Sequence, residues 1–380
     1  MTRIDSERLS NTFLSLVRID SESRHEAAIH AHLKEILTGM GAEVAADRAG
    51  EGFGGEIGNL VARFPGNREV EPMMLNAHMD TVVPGRGVRP RFKDGVFTSD
   101  GTTILGADDK SAIAILLEVL RVILENDLPH GPLDLLLTVG EEIGLAGAKH
   151  MDPGLLRARF GFALDATDTD GIVVRAPGAN RLTFTVRGKE AHAGAAPERG
   201  INAIALAAKA IASLDLGRID RETTCNIGQI EGGSAVNIVP NRVVVRGEAR
   251  SHDPAKLEQV TNRILEAFES AVAAGRRAAS DNLPRLEADI EEDFRPTHIP
   301  EDHPVVVLAR RAAANLGREL KAKITGGGAD ANIFFASGII TGVLGTGMRD
   351  MHTLHESVAL ADMIKAAELV LEIIRLHAES

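Results

Sequence analysis

Three apolar runs in this chain are each followed at once by residues that bind metals or transfer protons. The runs and their following residues are 72–77 with His78 and Asp80, 134–139 with Glu141 and Glu142, and 160–164 with Asp165. Apolar runs of this length, bounded by polar residues, predict buried strands. In open α/β sheets, ligands bind at the carboxyl ends of the strands. The pattern therefore predicts an α/β fold in which these side chains converge at one edge of the sheet.

Two adjacent aspartates precede a long predicted helix. Asp108 and Asp109 stand directly before residues 111–125, where apolar side chains recur at helical spacing. A carboxylate near a helix amino terminus is favoured by the free N–H groups and by the helix dipole. Capping accounts for one aspartate but not for two in a row, so the pair favours a further role for one of them.

The length of 380 residues exceeds what one ordinary core holds, so two domains are expected. The predicted elements in the middle of the chain are strand 182–188, helix 201–214, strands 223–231 and 241–250, helix 255–275 and strand 286–294. This βαββαβ order is that of a ferredoxin-like α+β unit. We therefore predict a catalytic domain formed by residues 1–178 and 298–380, with a domain of residues 179–297 inserted into it.

The inserted domain has two predicted edge strands of different character. Its usual strand order places the second and fourth strands at the edges. The fourth, residues 286–294, carries several acidic side chains that would repel a second copy of the chain, whereas residues 223–231 carry almost no charge. This contrast predicts a homodimer formed through residues 223–231.

Charge and composition exclude several classes of partner. The formal net charge is −12 at pH 7, which repels nucleic acid and anionic membranes. No segment reaches the ~18 consecutive apolar residues of a membrane span, and residues 1–8 lack the apolar stretch of a signal peptide. Cys225 is the only cysteine, which excludes an intrachain disulfide and a thiolate metal cluster. The expected location is the cytoplasm.

The chain contains no Tyr and no Trp, which constrains the chemistry it can perform. No phenol can donate a hydrogen bond to an oxyanion, so His, Arg, Asn, a backbone N–H group or a metal must do so. Aromatic contacts with a ligand are limited to Phe and His.

The candidate metal ligands come from the motifs above and from one later segment. They are His78, Asp108, Glu142, Asp165 and either His352 or His355. One imidazole per ion, with shared and unshared carboxylates, is typical of a di-zinc hydrolase that keeps positions open for water. Glu141 can serve as the general base. Asp80 can orient the ring of His78; a loop histidine beside a solvated aspartate is the alternative for that pair.

Five motifs resemble the metal motifs of the co-catalytic zinc peptidase superfamily that includes peptidase T, carboxypeptidase G and aminoacylase. They are Ala77–Val82, Gly106–Lys110, Gly140–Gly144, Leu164–Ala166 and His352–Glu356. They follow the order of the family over nearly the whole chain, and the resemblance is closest to the peptidase T-like branch. It implies a phosphorylase/hydrolase-like mixed-sheet zinc peptidase domain with an inserted ferredoxin-like lid that also forms the dimer.

The resemblance also implies a role for each residue of the site. The implied ligands are His78 and Asp165 for one Zn²⁺, Glu142 and His352 for the second, and Asp108 between them. Either Co²⁺ or Mn²⁺ could substitute for zinc. Asp80 would orient His78, and Glu141 would be the base. The family's last ligand lies four residues before a Glu, which selects His352 and leaves His355 near the substrate.

For the lid, the resemblance makes His192 the histidine that reaches the partner subunit's site and polarises the scissile carbonyl; a surface-loop histidine is the alternative. Asn237 and Arg250 resemble substrate contacts, and Arg250 could bind a peptide carboxylate with two hydrogen bonds; a structural role is the alternative for either. The glycine run ending at Gly328, followed by Asp330, allows backbone to approach a ligand closely. A phosphate loop is the weaker alternative, because the Lys-Ser/Thr pair of a P-loop is missing.

Together these features predict a hydrolase that cleaves an amide bond in short peptides, with a tripeptide aminopeptidase as the first expectation. An N-acyl amino acid deacylase or a carboxypeptidase of the same superfamily is the alternative, and a non-catalytic peptide- or metal-binding protein is the alternative of another class. Peptidase T has an Arg before its corresponding glycines, where this chain has Thr325. Tripeptide specificity depends on that difference, whereas hydrolysis does not. Glu141 beside the ligands favours catalysis, because binding alone has no use for a base.

Overall fold

The computed structural model describes residues 4–276 and 282–380. The chain forms two compact units. The first unit comprises Met1–Arg175, His298–Ile324 and Ala329–Ser380, and the second unit comprises Ala176–Thr297 with Thr325–Gly328. In the sequence, the second unit is therefore inserted between segments of the first.

The described residues form helices and strands throughout both units. The helices are α1 Ser6–Val17, α2 Ala27–Gly39, α3 Ala107–Glu125, α4 Ala146–Lys149, α5 Ala203–Ala212, α6 Pro254–Ala274, α7 Pro304–Asn315, α8 Asp330–Ala336 and α9 Leu360–His377. The strands are β1 Glu43–Ala46, β2 Leu60–Phe64, β3 Met73–His78, β4 Arg91–Lys93, β5 Val96–Thr98, β6 Leu133–Thr138, β7 Phe160–Ala166, β8 Gly171–Ala176, β9 Gly178–Arg187, β10 Gly217–Arg218, β11 Thr223–Gly232, β12 Arg242–Ser251, β13 Arg285–Phe294, β14 Thr297–His298, β15 Lys321–Ile324, β16 Ile340–Gly345 and β17 Ser357–Ala359. Within residues 4–276 and 282–380, no helix is both long and apolar enough to cross a membrane.

The first unit contains a mixed sheet of nine strands in the order β1-β2-β6-β3-β7-β16-β8-β14, with β15 paired to β8. Strand β3 lies between β6 and β7 and runs parallel to both. Strand β7 is parallel to β16, whereas β1 with β2, β2 with β6 and β16 with β8 are antiparallel. The predicted mixed α/β sheet is confirmed. The three strands that precede the candidate ligands are neighbours, and their carboxyl ends meet at one edge.

The strands of this sheet are apolar on both faces because both faces are covered. Met73, Leu75 and Ala77 of β3 lie in the main core with α1, α3, α7 and α9. Met74, between them in sequence, lies in a smaller cluster on the opposite face with Phe334 of α8. Successive residues of a strand point to opposite faces. A strand buried on both sides therefore shows a continuous apolar run and no polar alternation.

The second unit is a sheet of five strands in the order β10-β11-β12-β9-β13, with α5 and α6 packed on it. Apart from β10, this is the strand order of the ferredoxin-like unit. Strand β10 pairs with β11 only at Thr224 and Cys225. Phe184 of β9 stacks on Phe268 of α6 with ring centroids 4.3 Å apart. The edge of β11 was predicted to be open, and β10 covers only its beginning.

Helix α3 is buried along nearly its whole length, and it carries a carboxylate, Glu118, into the core. Arg8 of α1 neutralises this charge: Arg8 Nε lies 2.6 Å from Glu118 Oε2, and Nη2 lies 3.1 Å from Oε1. We expect Arg8→Ala to lower the free energy of unfolding by about 3 kcal/mol, because it leaves a buried carboxylate without its partner. Urea denaturation followed by circular dichroism measures this change.

A double variant, Arg8→Met with Glu118→Leu, is the control for this prediction. It removes both charges and retains apolar volume, so it should recover much of the lost stability. An Arg8→Ala protein that unfolds at the same urea concentration as the unmodified chain would contradict the prediction.

Candidate metal centre

The candidate ligands of the first unit reach one place from five parts of the chain. His78 ends β3, Glu142 follows β6 in a short 3₁₀ turn, and Asp165 lies near the end of β7. Asp108 lies at the start of α3, and His352 lies in the turn before β17. The structure thus brings together the five residues that the sequence predicted as ligands.

Asp108 stands between the two histidines. Its Oδ1 lies 3.0 Å from His78 Nε2, and its Oδ2 lies 3.2 Å from His352 Nε2. His352 Nε2 also lies 3.0 Å from Glu142 Oε2. Among the described residues, donor atoms within 4.8 Å of one another form three groups. Two of them share Asp108, one with His78 and Asp165 and the other with Glu142 and His352, and the third joins His78, Glu141 and Glu142. A carboxylate shared in this way can bridge two cations.

Asp80 holds both the ring of His78 and the turn that carries the two glutamates. His78 Nδ1 lies 3.0 Å from the carbonyl oxygen of Asp80 and 3.5 Å from its Oδ1. The Asp80 carboxylate also accepts hydrogen bonds from the backbone N–H groups of Glu141, at 2.9 Å, and Glu142, at 3.2 Å. Ser23 Oγ donates to the same carboxylate at 2.7 Å. With Nδ1 donating to Asp80, Nε2 of His78 is available to a metal.

Burial and mutual repulsion oppose ionisation of most of these carboxyl groups. Burial raises the pKa of Glu141 and of Asp165 well above the ordinary values, and neighbouring carboxylates add to the rise. Burial also raises the pKa of Glu142, partly offset by the hydrogen bond from His352. For Asp108 burial acts in the same direction, but hydrogen bonds from His352 and His78 outweigh it and lower the pKa.

This donor set fits divalent transition-metal ions. Within the part of the chain that the structure describes, these acids lie close together and the imidazoles of His78 and His352 face Asp108, so cations would stabilise the ionised carboxylates. Imidazole nitrogen with carboxylate oxygen is a combination that zinc, cobalt and manganese accept. The first unit therefore has the residues for a metal centre at the edge of its sheet.

Neither aspartate at the start of α3 caps the helix. Asp108 and Asp109 depart from helical φ and ψ. Asp109 Oδ2 accepts the backbone N–H of His78 at 3.1 Å, while Asp108 faces the two imidazoles. Both aspartates therefore have a role at the candidate centre. This explains why two acidic residues stand in a row, whereas capping would explain only one.

Two further carboxylates support the centre without having been predicted to do so. Glu26, fully buried, accepts the backbone N–H of Gly140 at 3.0 Å, beside the glutamate turn. Burial, together with the charge of Asp80, raises the pKa of Glu26 to about 7. Glu356 accepts backbone N–H groups at the start of α3. Nothing in the sequence around Glu26 indicates that it supports the centre. Glu356 belongs to the last of the five motifs, but the sequence does not indicate which groups its side chain contacts.

Three of the predicted residues of the first unit, His352, His355 and Asp330, differ in exposure. His352 is exposed and has φ of +63°, in a region that residues other than glycine rarely adopt. His355 is exposed in the same turn. Asp330 is buried at the start of α8 and accepts a hydrogen bond from Thr138 Oγ1 at the end of β6. Because Asp330 is buried, a role in holding the end of β6 is favoured over contact with a substrate. The predicted substrate contact of Asp330 stays a prediction.

In the second unit, His192 lies in an exposed loop. Its Nδ1 accepts the backbone N–H groups of Gly194, at 3.2 Å, and Ala195, at 3.1 Å. The loop is tied to its neighbour by Ala193, whose N–H donates to the carbonyl oxygen of Asn237 at 2.9 Å. With Nδ1 accepting, the proton of the neutral ring is on Nε2, which is then a hydrogen-bond donor.

Arg250 and Gly328 have partners within the second unit. Arg250 forms two hydrogen bonds with Glu248, Nε to Oε1 at 3.1 Å and Nη2 to Oε2 at 2.9 Å. Its guanidinium carbon lies 5.9 Å from the centre of the Phe294 ring. A Cβ on Gly328 would lie 2.4 Å from the same ring, so a glycine is required there by packing. These contacts favour the structural alternative for Arg250 and give Gly328 a role in packing. Contact of either residue with a substrate stays a prediction.

Comparison with known proteins places the chain in a family. Residues 74–376 match the peptidase family M20/M25/M40. The structure resembles a tripeptidase from Staphylococcus aureus, 42% identical with a TM-score of 0.90, and aminopeptidase PepT from Bacillus cereus, 41% identical with a TM-score of 0.87; each comparison covers 99% of this chain and 100% of the other. Peptidase T from Fusobacterium nucleatum is 28% identical over 75% of this chain and 68% of that protein. The chain therefore belongs to peptidase family M20/M25/M40 and is a peptidase T-like metallopeptidase.

Proposed function

We propose that this metallopeptidase removes the amino-terminal residue from short peptides, tripeptides being the expected substrates, with two zinc ions per subunit. The observation that carries the proposal is the Asp108 carboxylate, which spans the imidazoles of His78 and His352 among buried acids. The similarity to a tripeptidase and to an aminopeptidase PepT supports the choice of substrate.

Each ion would have its own pair of residues and would share one carboxylate. His78 and Asp165 would hold one ion, Glu142 and His352 the other, and Asp108 both. When bound, the ions would polarise the scissile carbonyl and make water a better nucleophile at neutral pH. Asp80 keeps Nδ1 of His78 occupied as a donor, which would leave Nε2 to bind the ion.

Glu141 is the proposed general base. Its backbone N–H is held by Asp80, and its carboxyl group is buried beside Asp165 and Glu142. A carboxylate raised in basicity by burial takes a proton from the attacking water more readily than an exposed one. The same group would then deliver the proton to the leaving amine.

His192 is the proposed donor to the developing oxyanion. The proton on its Nε2 is fixed by the two backbone N–H groups that occupy Nδ1. Because the chain has no Tyr, an imidazole is the natural donor for this role. We propose that it acts in the site of the partner subunit, as the family resemblance implies.

The proposed homodimer forms through the open part of β11. Beyond Thr224 and Cys225, no strand within the described residues pairs with the outer side of β11. Its second half is exposed, and the side chain of Ile230 is 51% accessible. An unpaired edge that carries almost no charge and exposes an apolar side chain is suited to strand pairing with a second copy. We also place the enzyme in the cytoplasm, with the single cysteine, Cys225, as support.

A tripeptide offered in free and in N-acetylated form tests the reaction type. We expect the zinc- or cobalt-loaded protein to release the first residue from the free form alone, because an aminopeptidase requires the free amino group. Mass spectrometry of the products measures this. The second candidate is a deacylase or carboxypeptidase of the same superfamily, which is favoured by Thr325 standing where peptidase T has an Arg. Cleavage of only the acetylated form would establish that activity. Cleavage of neither would contradict the proposed function.

Glu141→Gln tests the base. The amide keeps the shape but cannot accept a proton, so turnover should fall roughly 10³-fold while both ions remain bound. Metal content is measured by inductively coupled plasma mass spectrometry. Glu142→Gln is the matched control and should lose metal. Unchanged turnover in Glu141→Gln would refute the assignment of the base, and loss of metal would make Glu141 a ligand instead.

Ile230→Lys tests the dimer surface. A charged side chain on the open strand should weaken dimerisation about tenfold or more, since it places an ammonium group against an apolar surface. Sedimentation velocity over a concentration series measures the dissociation constant. Ile290→Lys, on the acidic edge strand β13 and 36% exposed, is the matched control. A monomer before any substitution, or equal effects of both, would contradict the proposed interface.

A further inference from the structure

Glu356 lies in the same turn as His352, yet its side chain points away from solvent. Its side chain is 2% accessible, whereas His352 is exposed. The turn is closed by the backbone N–H of Glu356, which donates to the carbonyl oxygen of Thr353 at 3.2 Å. Strand β17 follows directly and pairs with β5, so the turn is fixed at its carboxyl end.

The carboxylate of Glu356 accepts three backbone hydrogen bonds from one short segment. Its Oε2 accepts the N–H groups of Leu105, at 2.7 Å, and Gly106, at 2.8 Å, and its Oε1 accepts the N–H of Asp108 at 2.9 Å. All three bonds are buried. Leu105 and Gly106 lie in the segment that leads into α3, and Asp108 lies in its first turn, where N–H groups have no partner inside the helix.

The start of α3 has no cap of its own. The residue before its first helical position is Gly106, with φ of +77° and no side chain to accept a hydrogen bond. The acids of the first turn are engaged elsewhere, Asp109 with the N–H of His78 and Asp108 with the two imidazoles. An anion at a helix amino terminus satisfies the free N–H groups and complements the dipole. Glu356 therefore anchors, from a distant part of the chain, the segment that leads into α3, while the side chain of Asp108 faces the imidazoles.

We propose that Glu356 is a positioning residue for the metal centre. By holding the backbone of residues 105–108, it fixes the point from which the Asp108 side chain extends, so that one oxygen faces each imidazole. A single turn thus contributes one imidazole, His352, and holds the backbone of the carboxylate that the two ions share. The inference rests on the metal centre of the proposed function.

Glu356→Gln tests this role with metal affinity as the measured quantity. The amide oxygen can accept the N–H groups on one side, but the amide NH₂ then faces a backbone N–H that needs an acceptor. The Asp108 segment should shift, and the affinity for Co²⁺ should fall about 10–100-fold, as when a residue that supports a ligand is lost. Calorimetric titration of the metal-free protein with Co²⁺ gives the affinity. The visible absorption of the bound Co²⁺ should also change.

Asp134→Asn is the matched control. Asp134 is a fully buried carboxylate at the start of β6 that accepts the backbone N–H groups of Arg157, at 2.8 Å, and Ala158, at 3.2 Å. It lies at the end of the strand remote from the glutamate turn. Its substitution should lower the melting temperature but leave the Co²⁺ affinity and spectrum unchanged.

The outcomes separate this inference from the proposed function. Unaltered Co²⁺ affinity and spectrum in Glu356→Gln, or equal losses in Asp134→Asn, would overturn the positioning role while leaving the metal centre intact. Failure of the unmodified protein to bind Co²⁺ would overturn the metal centre itself. If Glu356→Gln does not fold, Glu356→Asp keeps the charge, and its side chain is too short to reach all three N–H groups; it should show the same loss of affinity.

Discussion

The crowding of buried carboxylates at one edge of the sheet is the constraint on which the rest of the structure depends. These groups repel one another and lose the solvation of water, so each needs a specific partner. The structure provides two kinds. Asp80, Asp109 and Glu356 accept backbone N–H groups from the loops around the centre. Asp108 and Glu142 face imidazoles and remain open to cations. A bound cation would relieve the repulsion between these acids, which is why the cluster suits a metal.

The part of the site that could be predicted from the sequence is the part encoded in short stretches of chain. An apolar run followed at once by an acid or a histidine indicates the end of a strand, and parallel neighbours place such ends side by side. This is why the positions of His78, Glu142 and Asp165 followed from the sequence together with a mixed α/β fold. The choice of His352 over His355 required the resemblance to a family, because both lie in one turn.

The remainder could not be predicted because it depends on hydrogen bonds between segments that are distant in sequence. The residues before Lys110 resemble a site for a local helix cap, but the carboxylate that accepts the N–H groups of Leu105, Gly106 and Asp108 is Glu356, and nothing near residue 108 indicates it. The guanidinium of Arg250 could bind the carboxylate of a peptide, yet Glu248, two positions away on the same strand, already pairs with it. Strand β10 consists of two residues and has no periodicity that could reveal it.

The bond from Gly106 to Glu356 joins residues 250 positions apart, with the whole second unit between them in the sequence. On the ribosome, the beginning of α3 is made long before its partner. Its amino-terminal N–H groups must stay hydrated, or find temporary acceptors, until the inserted unit has been synthesised and the chain returns. Contacts of such long range form late in folding, because closing a large loop is costly in entropy. Order of synthesis thus delays completion of the candidate metal centre, because a nascent chain that already holds His78, Asp108, Glu142 and Asp165 still lacks the turn that anchors the Asp108 segment.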